Sequence, residues 1–317
     1  MKINKIKNIF PGIEGARFNM GVWYKSKGDS LFFIGREVLK AGEVGEPDTG
    51  ILKLFEMDKD GNLIHERLIW KPLYDGINLE DPRALRLPNE NLIIGLTCVL
   101  RNKSGHPVPF PAIVKIDYLD SWKQNLPPFL VIDTFGPGKN ITPIDMNTFL
   151  FRPDSFAYNH KILVFSLASQ VAEKLGDIEF PKDLPWAAWR VGTTMPPIWL
   201  SANEALFIIH GITKQIIDGK EKYIYSIGRA RLVRQGKKFR VTVAPEPILT
   251  PDNFLDKEGK SLVTELHPEL RRVVYSCGGV VNKNMNNSLL LYVNVGDRAT
   301  FEVELSLNEM KAGLFNR

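Results

Sequence analysis

Short runs of apolar residues, each preceded by a polar turn, recur along the whole chain. In five of them about four consecutive apolar residues lead to a small or polar residue. These runs begin at Leu31, Leu92, Ile162, Leu206 and Leu289. Gly, Asn, Asp and Pro bound the runs, and helical periodicity is almost absent. This pattern predicts an all-β protein.

The number and spacing of the runs favour one all-β architecture. Five units in 317 residues average roughly 60 residues each, near the size of a propeller blade. Continuous apolar runs are typical of strands buried on both faces, as the inner strands of stacked blades are. The runs end at Arg36, Thr97, Ser166, His210 and Asn294, and such strand ends can converge on a central channel. We predict that residues 1–317 form a single five-bladed β-propeller domain with a central active-site channel. The pattern leaves a large β-sandwich open as the alternative.

Composition and charge exclude several classes of protein. Hydrophobic residues make up 44% and charged residues 24%, which is ordinary for a globular protein. The net charge of +5 is spread along the chain, and its densest basic stretch, 229–240, has no aromatic stacking platform. No apolar run reaches the roughly 18 residues of a membrane span, and residues 1–10 lack the apolar segment of a signal peptide. We expect a cytoplasmic protein without nucleic-acid or membrane partners.

The two cysteines, Cys98 and Cys277, lie in neither a CxxC nor a histidine-containing spacing. Metal sites and disulfide frameworks depend on such spacings. We therefore expect no metal and no cofactor.

Asp81 is the strongest candidate for acid–base chemistry. Inverting cleavage of a glycoside needs a carboxylic acid at the leaving oxygen and a nucleophile on the opposite face of the sugar. Asp81 precedes Pro82, which restricts the backbone, and Glu80 and Arg83 place charges beside it. On local grounds alone, an ordinary Asp-Pro turn explains the segment better.

A resemblance changes that balance. The segment Glu80-Asp81-Pro82-Arg83 resembles the signature of glycoside hydrolase family 130, which contains β-mannoside phosphorylases and β-mannosidases. Further segments resemble motifs of that family in the same order, between about Phe18 and Met310. They are Phe18–Gly21, Gly35-Arg36, Phe151–Asp154, Trp189–Ile198, Ile209–Gly211, Pro247–Leu249 and Tyr292–Asp297.

The resemblance implies a five-bladed propeller enzyme that acts on β-linked manno-oligosaccharides, with β-1,2 or β-1,4 linkages. It gives Asp81 the role of general acid, acting directly or through a sugar hydroxyl. The substrate-binding residues that we predict are Asn19, Arg36, Glu80, Arg83, Arg101, His210, Tyr292 and Asp297. Family members are often oligomers, so a homo-oligomer stays open.

The choice between hydrolysis and phosphorolysis depends on a phosphate cradle. The phosphorylases of the family usually hold phosphate with two arginines, a lysine and a histidine. Here Phe110 and Pro111 occupy the place of the second arginine. The anion-binding candidates that remain are Arg101, Arg152, His210 and Lys139.

This incomplete cradle favours an inverting hydrolase, in which Asp154 or Asp145 would be the base. The alternative is a phosphorylase that uses inorganic phosphate as co-substrate and releases mannose 1-phosphate. A sugar-binding propeller without catalysis is the second alternative, and the retention of Asp81 in its full tetrapeptide speaks against it.

Overall fold

A computed structural model describes residues 3–11, 15–25, 29–43, 46–72, 77–116, 126–282 and 287–315. Within these ranges the strands form five sheets of four or six strands, and neighbouring strands are antiparallel except at one short pairing. The innermost strands of the sheets lie side by side around a common axis. The prediction of a five-bladed β-propeller is confirmed.

The first three blades each contain four strands in simple order. Blade 1 comprises β2 (Ala16–Tyr24), β3 (Leu31–Lys40), β4 (Thr49–Met57) and β5 (Leu63–Trp70). Blade 2 comprises β6 (Ile77–Arg86), β7 (Leu92–Arg101), β8 (Pro107–Ile116) and β9 (Leu130–Val131). Blade 3 comprises β10 (Gly138–Pro143), β11 (Thr148–Pro153), β12 (Lys161–Ala168) and β13 (Val171–Glu179).

Blade 4 is larger and carries two short accessory strands. It comprises β14 (Arg190–Thr193), β15 (Ile198–Trp199), β16 (Glu204–Ile217), β17 (Lys220–Gln235), β18 (Lys238–Val243) and β19 (Arg271–Arg272). Strand β19 belongs to the connection between blades 4 and 5 and pairs in parallel with β17. That connection therefore lies against the long β16–β17 hairpin instead of crossing open surface.

Blade 5 joins the two ends of the described chain. It comprises β20 (Val274–Val281), β21 (Ser288–Val295), β22 (Ala299–Ser306) and β1 (Ile3–Asn8). Strand β1 pairs with β22 from Ile3 opposite Leu305 to Asn8 opposite Phe301. The first strand thus closes the ring as the outermost strand of the last blade. Helical structure among the described residues is short: α1 (Leu307–Lys311) and 3-10 turns at Phe156–Tyr158, Pro185–Ala187 and Pro251–Phe254.

The apolar runs hold adjacent blades together. Between blades 1 and 2, Ile34 and Leu54 share one buried cluster with Leu92 and Ile94. Burial of each such side chain stabilises the fold by roughly 1.5–3 kcal/mol relative to exposure. Four of the five predicted runs are the second strands of their blades, and the run at Ile162 is the third strand of blade 3. These runs are therefore not the strands nearest the axis. The innermost strands are more polar and more irregular.

Three innermost strands carry the same irregularity. In β2, β6 and β10, two residues stand opposite one residue of the neighbouring strand, which is a β-bulge. The first residue of each bulge has a left-handed backbone: φ is 56° at Asn19, 53° at Asp81 and 65° at Asn140. Asn and Asp adopt this conformation more readily than other residues with side chains. Each bulge interrupts the alternation of its strand close to the axis.

Candidate active site

A cavity of about 420 Å³ lies where residues of all five blades meet. Its walls combine carboxylates, amides and cations, which match the paired donors and acceptors of sugar hydroxyls. The residues of the bulged strands that line it are Phe18, Asn19, Glu80, Asp81, Lys139 and Asn140. The other lining residues include Arg36, Asp48, Arg152, Asp154, His210, Tyr225, His267, Arg271, Tyr275 and Asp297.

Asp81 and Asn19 face each other across the boundary between blades 1 and 2. The Nδ2 group of Asn19 donates a hydrogen bond of 2.6 Å to Oδ1 of Asp81. One carboxyl oxygen is thereby occupied, and the other can carry the acidic proton. The Oδ1 atom of Asn19 is buried and has no partner among the described residues. Such an atom calls for a ligand or water.

Glu80 sits beside the acid in a buried charge network. Arg36 contacts one of its carboxylate oxygens at 3.0 Å and Lys139 contacts the other at 3.3 Å. Burial alone would raise the pKa of Glu80, but Arg36 and Lys139 outweigh burial and lower the pKa to about 2. The pKa of Lys139 is raised in turn, chiefly by Glu80. Glu80 is therefore a fixed anion that orients two cations.

A further part of the cavity wall comes from the connection between blades 4 and 5. Arg271 forms an ion pair of 2.7 Å with Asp297, and His267 Nε2 lies 2.9 Å from Asp48 Oδ1. Asp297 raises the pKa of Arg271. Because β19 pairs with β17, these side chains are held at the pocket by a parallel strand contact.

Arg152 is the least compensated charge that faces the cavity. It is buried, and its Nε and Nη1 groups have no hydrogen-bond partner among the described residues. Burial, followed by the nearby Arg190, lowers its pKa to about 10. His210 lies in the same region, and its Nδ1 atom is also buried without a described partner. Burial and then Arg152 hold the pKa of His210 well below 6.5, so the imidazole is neutral.

Asp154 is a carboxylate that lines the cavity together with Arg152 and His210. It is half-exposed and forms an ion pair of 3.1 Å with Arg190, which also bonds to Asn159. The predicted base therefore does line the pocket, but a cation already neutralises it.

Four predicted residues lie outside the lining of the cavity. Arg83 is fully enclosed beneath Asp81. Tyr292 packs edge-on against Phe33, and its hydroxyl donates to Glu302. The exposed Arg101 pairs with Glu46 at 2.7 Å.

The fourth is Asp145. It accepts two backbone hydrogen bonds within its own turn, from Asn147 and Thr148, and pairs with Arg234 at 3.1 Å. The other predicted residues, which are Asn19, Arg36, Glu80, Asp81, Asp154, His210 and Asp297, all line the cavity.

Sequence reasoning missed many residues of the lining, among them Asp48, Asn140, Tyr225, His267, Arg271 and Tyr275. Asn140 had a usable signal, because an Asn or Asp inside each of the first three inner strands marks the bulge. The connection that carries His267 and Arg271 gave none, since its pairing with β17 joins residues far apart in the chain.

Two kinds of feature are absent from the described residues. These residues contain no group of three or more His, Cys, Asp or Glu side chains placed to hold a metal ion. None of their helices has the length and apolar character needed to cross a bilayer.

Together, the fold and the pocket define a five-bladed β-propeller with a polar, carboxylate-rich axial site. Solved structures share this fold. A β-1,2-mannobiose phosphorylase from Listeria innocua, in complex with β-1,2-mannobiose, is 15% identical. The match covers 96% of this chain and 94% of that one, with a TM-score of 0.64. A mannose phosphorylase from Leishmania mexicana, in complex with phosphate, is 14% identical, over 96% and 89% of the two chains, with a TM-score of 0.60.

A third match is described among glycoside hydrolases, within the GH130 family of mannoside phosphorylases, that target β-1,2 mannosidic linkages in Candida mannan. It is 14% identical, over 91% of this chain and 84% of that one, with a TM-score of 0.56. At these identities the likeness establishes a shared fold. No protein-family model and no curated protein matches the sequence.

Proposed function

We propose that the protein cleaves β-mannosidic bonds in the axial cavity, with Asp81 as the proton donor. The position of Asp81 supports this role, since the carboxyl group lines the cavity and Asn19 holds one of its oxygens. The ordered motifs of the sequence and the fold shared with mannoside-active enzymes support the substrate class.

Phosphate is the nucleophile in this proposal, and the observation that carries it is the unpaired Arg152. A buried guanidinium whose Nε and Nη1 groups have no hydrogen-bond partner among the described residues is unfavourable, and an anion supplied by the substrate would relieve it. Charge-assisted hydrogen bonds are among the strongest that a protein forms with phosphate. Lys139 and the neutral His210 line the same cavity and add further donors. In this proposal Arg152, Lys139 and His210 form the phosphate site, and phosphorolysis replaces hydrolysis as the favoured reaction.

The proposed step exchanges one bond at the anomeric carbon for another. A phosphate oxygen attacks that carbon from the face opposite the leaving group, and the bond to the glycosidic oxygen breaks. The leaving oxygen takes the proton of Asp81, directly or through a sugar hydroxyl. The products are mannose 1-phosphate with inverted configuration and a sugar shortened by one unit. The carboxylate of Asp81 then recovers a proton from solvent.

Hydrolysis is the second candidate, because Asp154 also lines the cavity. An inverting hydrolase needs two carboxyl groups roughly 6.5–9.5 Å apart, one of which activates water. The ion pair between Asp154 and Arg190 already occupies one carboxylate oxygen of Asp154, and this favours phosphorolysis.

The test is to incubate the protein with β-1,2- and β-1,4-mannobiose, with and without inorganic phosphate. We expect mannose 1-phosphate only when phosphate is present, and no product with Asp81→Asn. Free mannose at a rate independent of phosphate, lost in Asp154→Asn, would establish hydrolysis instead. Binding of mannobiose without any product would make the protein a sugar-binding propeller.

A further inference from the structure

Arg83 is a buried arginine that lies outside the lining of the cavity. Its side chain is 0% exposed, and it forms no ion pair with any carboxylate of the described residues. Arg36, by contrast, is paired with Glu80. A buried cation costs several kcal/mol when it is not compensated. The charged guanidinium of Arg83 must therefore be stabilised by contacts other than ion pairs.

Those contacts are neutral oxygens from four blades. Arg83 Nε donates to the carbonyl of Thr194 at 2.8 Å, and Nη1 donates to the carbonyl of Asp81 at 2.9 Å. Nη2 donates to Oδ1 of Asn140 at 3.0 Å and to the hydroxyl of Tyr275. The Tyr275 hydroxyl in turn donates to Asn140 Oδ1 at 3.0 Å. Arg83 is thus fixed in a rigid planar fork directly behind the acid.

The hydrogen bond from Arg83 to the Asp81 carbonyl fixes the backbone of the acid. Asp81 has a left-handed backbone, with a φ of 53°, at the first position of its bulge. A residue with a side chain holds that conformation only when its surroundings impose it. Arg83 bonds to the carbonyl of this residue, and Asn19 bonds to its carboxylate. Backbone and side chain of the acid are therefore fixed from two sides.

We propose that Arg83, with Tyr275 as its anchor, is a positioning residue for the acid. It fixes Asp81 at the leaving oxygen, and its positive charge balances the carboxylate that remains after proton transfer. This inference rests on the proposed function, since it assigns a role in acid catalysis at the same site. A purely structural role, in which Arg83 only joins four blades, is the competing explanation.

A pair of substrates separates the two explanations. The sugar leaving group of mannobiose needs a proton, whereas 2,4-dinitrophenolate leaves without one. A residue that serves acid catalysis should matter for the first substrate only, and acid catalysis contributes roughly 10²–10⁴-fold to a rate. Loss of folded protein would lower both rates equally. Asp81→Asn on both substrates sets the largest effect that can be expected.

The variants are Tyr275→Phe and Arg83→Lys, which remove one hydroxyl and the planar fork, respectively. We expect kcat on mannobiose to fall by about tenfold or more while KM changes by less than about threefold. On 2,4-dinitrophenyl β-mannoside, kcat should fall by less than about threefold. Tyr292→Phe is the matched control: it also removes a buried tyrosine hydroxyl, but outside the cavity, and should leave both rates unchanged.

Equal losses on both substrates in Tyr275→Phe and Arg83→Lys would overturn the proposal and leave Arg83 a structural link. An Arg83→Lys variant with wild-type activity on mannobiose would overturn it as well. Failure of the proposed function looks different, because the wild-type protein would then cleave neither substrate.

Discussion

Replacement of Arg152 by methionine should make the phosphate-free protein more stable and weaken its response to phosphate. The first half of this expectation follows from burial. A pKa that falls from 12.5 to about 10 corresponds to about 3 kcal/mol of unfavourable free energy for the charged guanidinium. Methionine fills much of the same space without a charge. We therefore expect the free energy of unfolding to rise by about 1–3 kcal/mol.

The expected change in melting temperature follows from chain length. For 317 residues the entropy of unfolding is about 0.7 kcal/mol/K, so Arg152→Met should raise Tm by about 2–4 °C without phosphate. Phosphate at one hundred times its Kd should stabilise the wild-type protein by about 2.7 kcal/mol, or about 4 °C. Loss of one charge-assisted hydrogen bond costs about 1.5–3 kcal/mol, which weakens phosphate binding by about 10- to 150-fold.

Scanning calorimetry in phosphate-free buffer and along a phosphate titration measures both effects, and the KM for phosphate provides a kinetic check. Arg101→Met is the matched control, because Arg101 was also predicted to bind an anion but lies outside the cavity, paired with Glu46. It should leave the phosphate response unchanged. A less stable Arg152→Met protein that keeps the wild-type response to phosphate would refute the reasoning.

Three other changes test the charge network and the pocket floor. Glu80→Gln leaves Arg36 poorly compensated and should destabilise the fold by about 3 kcal/mol in urea unfolding at pH 7. Because the folded pKa of Glu80 is lowered from 4.5 to about 2, this difference should disappear as pH falls from 4.5 to 2. Burial raises the pKa of Glu265 to about 7, so wild-type stability should fall as pH rises from 4.5 to 7. Glu265→Gln should remove the dependence of the free energy of unfolding on pH between 4.5 and 7. An unchanged slope in this variant would contradict the prediction. Gly192→Ala places a Cβ against the ring of His210. We expect the free energy of unfolding to fall by about 1–3 kcal/mol and the KM for the substrate to rise.

The pattern of apolar runs favoured the five-bladed propeller over a β-sandwich, because runs such as those at Leu92 and Leu206 pack in the interfaces between blades. It did not identify the innermost strands. Those strands carry the bulges at Asn19 and Asp81, which break regular alternation and hide the strand from a period-based reading. The resemblance located these segments, since it depended on residue identity instead of periodicity.

The lining of the cavity was predictable where short sequence motifs mark its residues. Asn19, Glu80 and Asp81 are of this kind. The sequence did not indicate a residue's position relative to the cavity where the direction of its side chain depends on neighbours in space. Tyr292 lies on a strand that is buried along almost its whole length, and the sequence motif did not reveal which way its side chain points.

The three bulges explain why acid–base and sugar-binding groups collect at the axis of this fold. A left-handed residue at the first bulge position must be Gly, Asn or Asp to avoid strain. Asn and Asp are also the short side chains that bond to sugar hydroxyls or donate a proton. One backbone requirement therefore selects, at Asn19, Asp81 and Asn140, the residue types that the chemistry needs. Because the bulges lie on adjacent inner strands, the same geometry brings Asn19 within hydrogen-bonding distance of Asp81. The backbone conformation of these bulges is in this way coupled to the position of the proton donor.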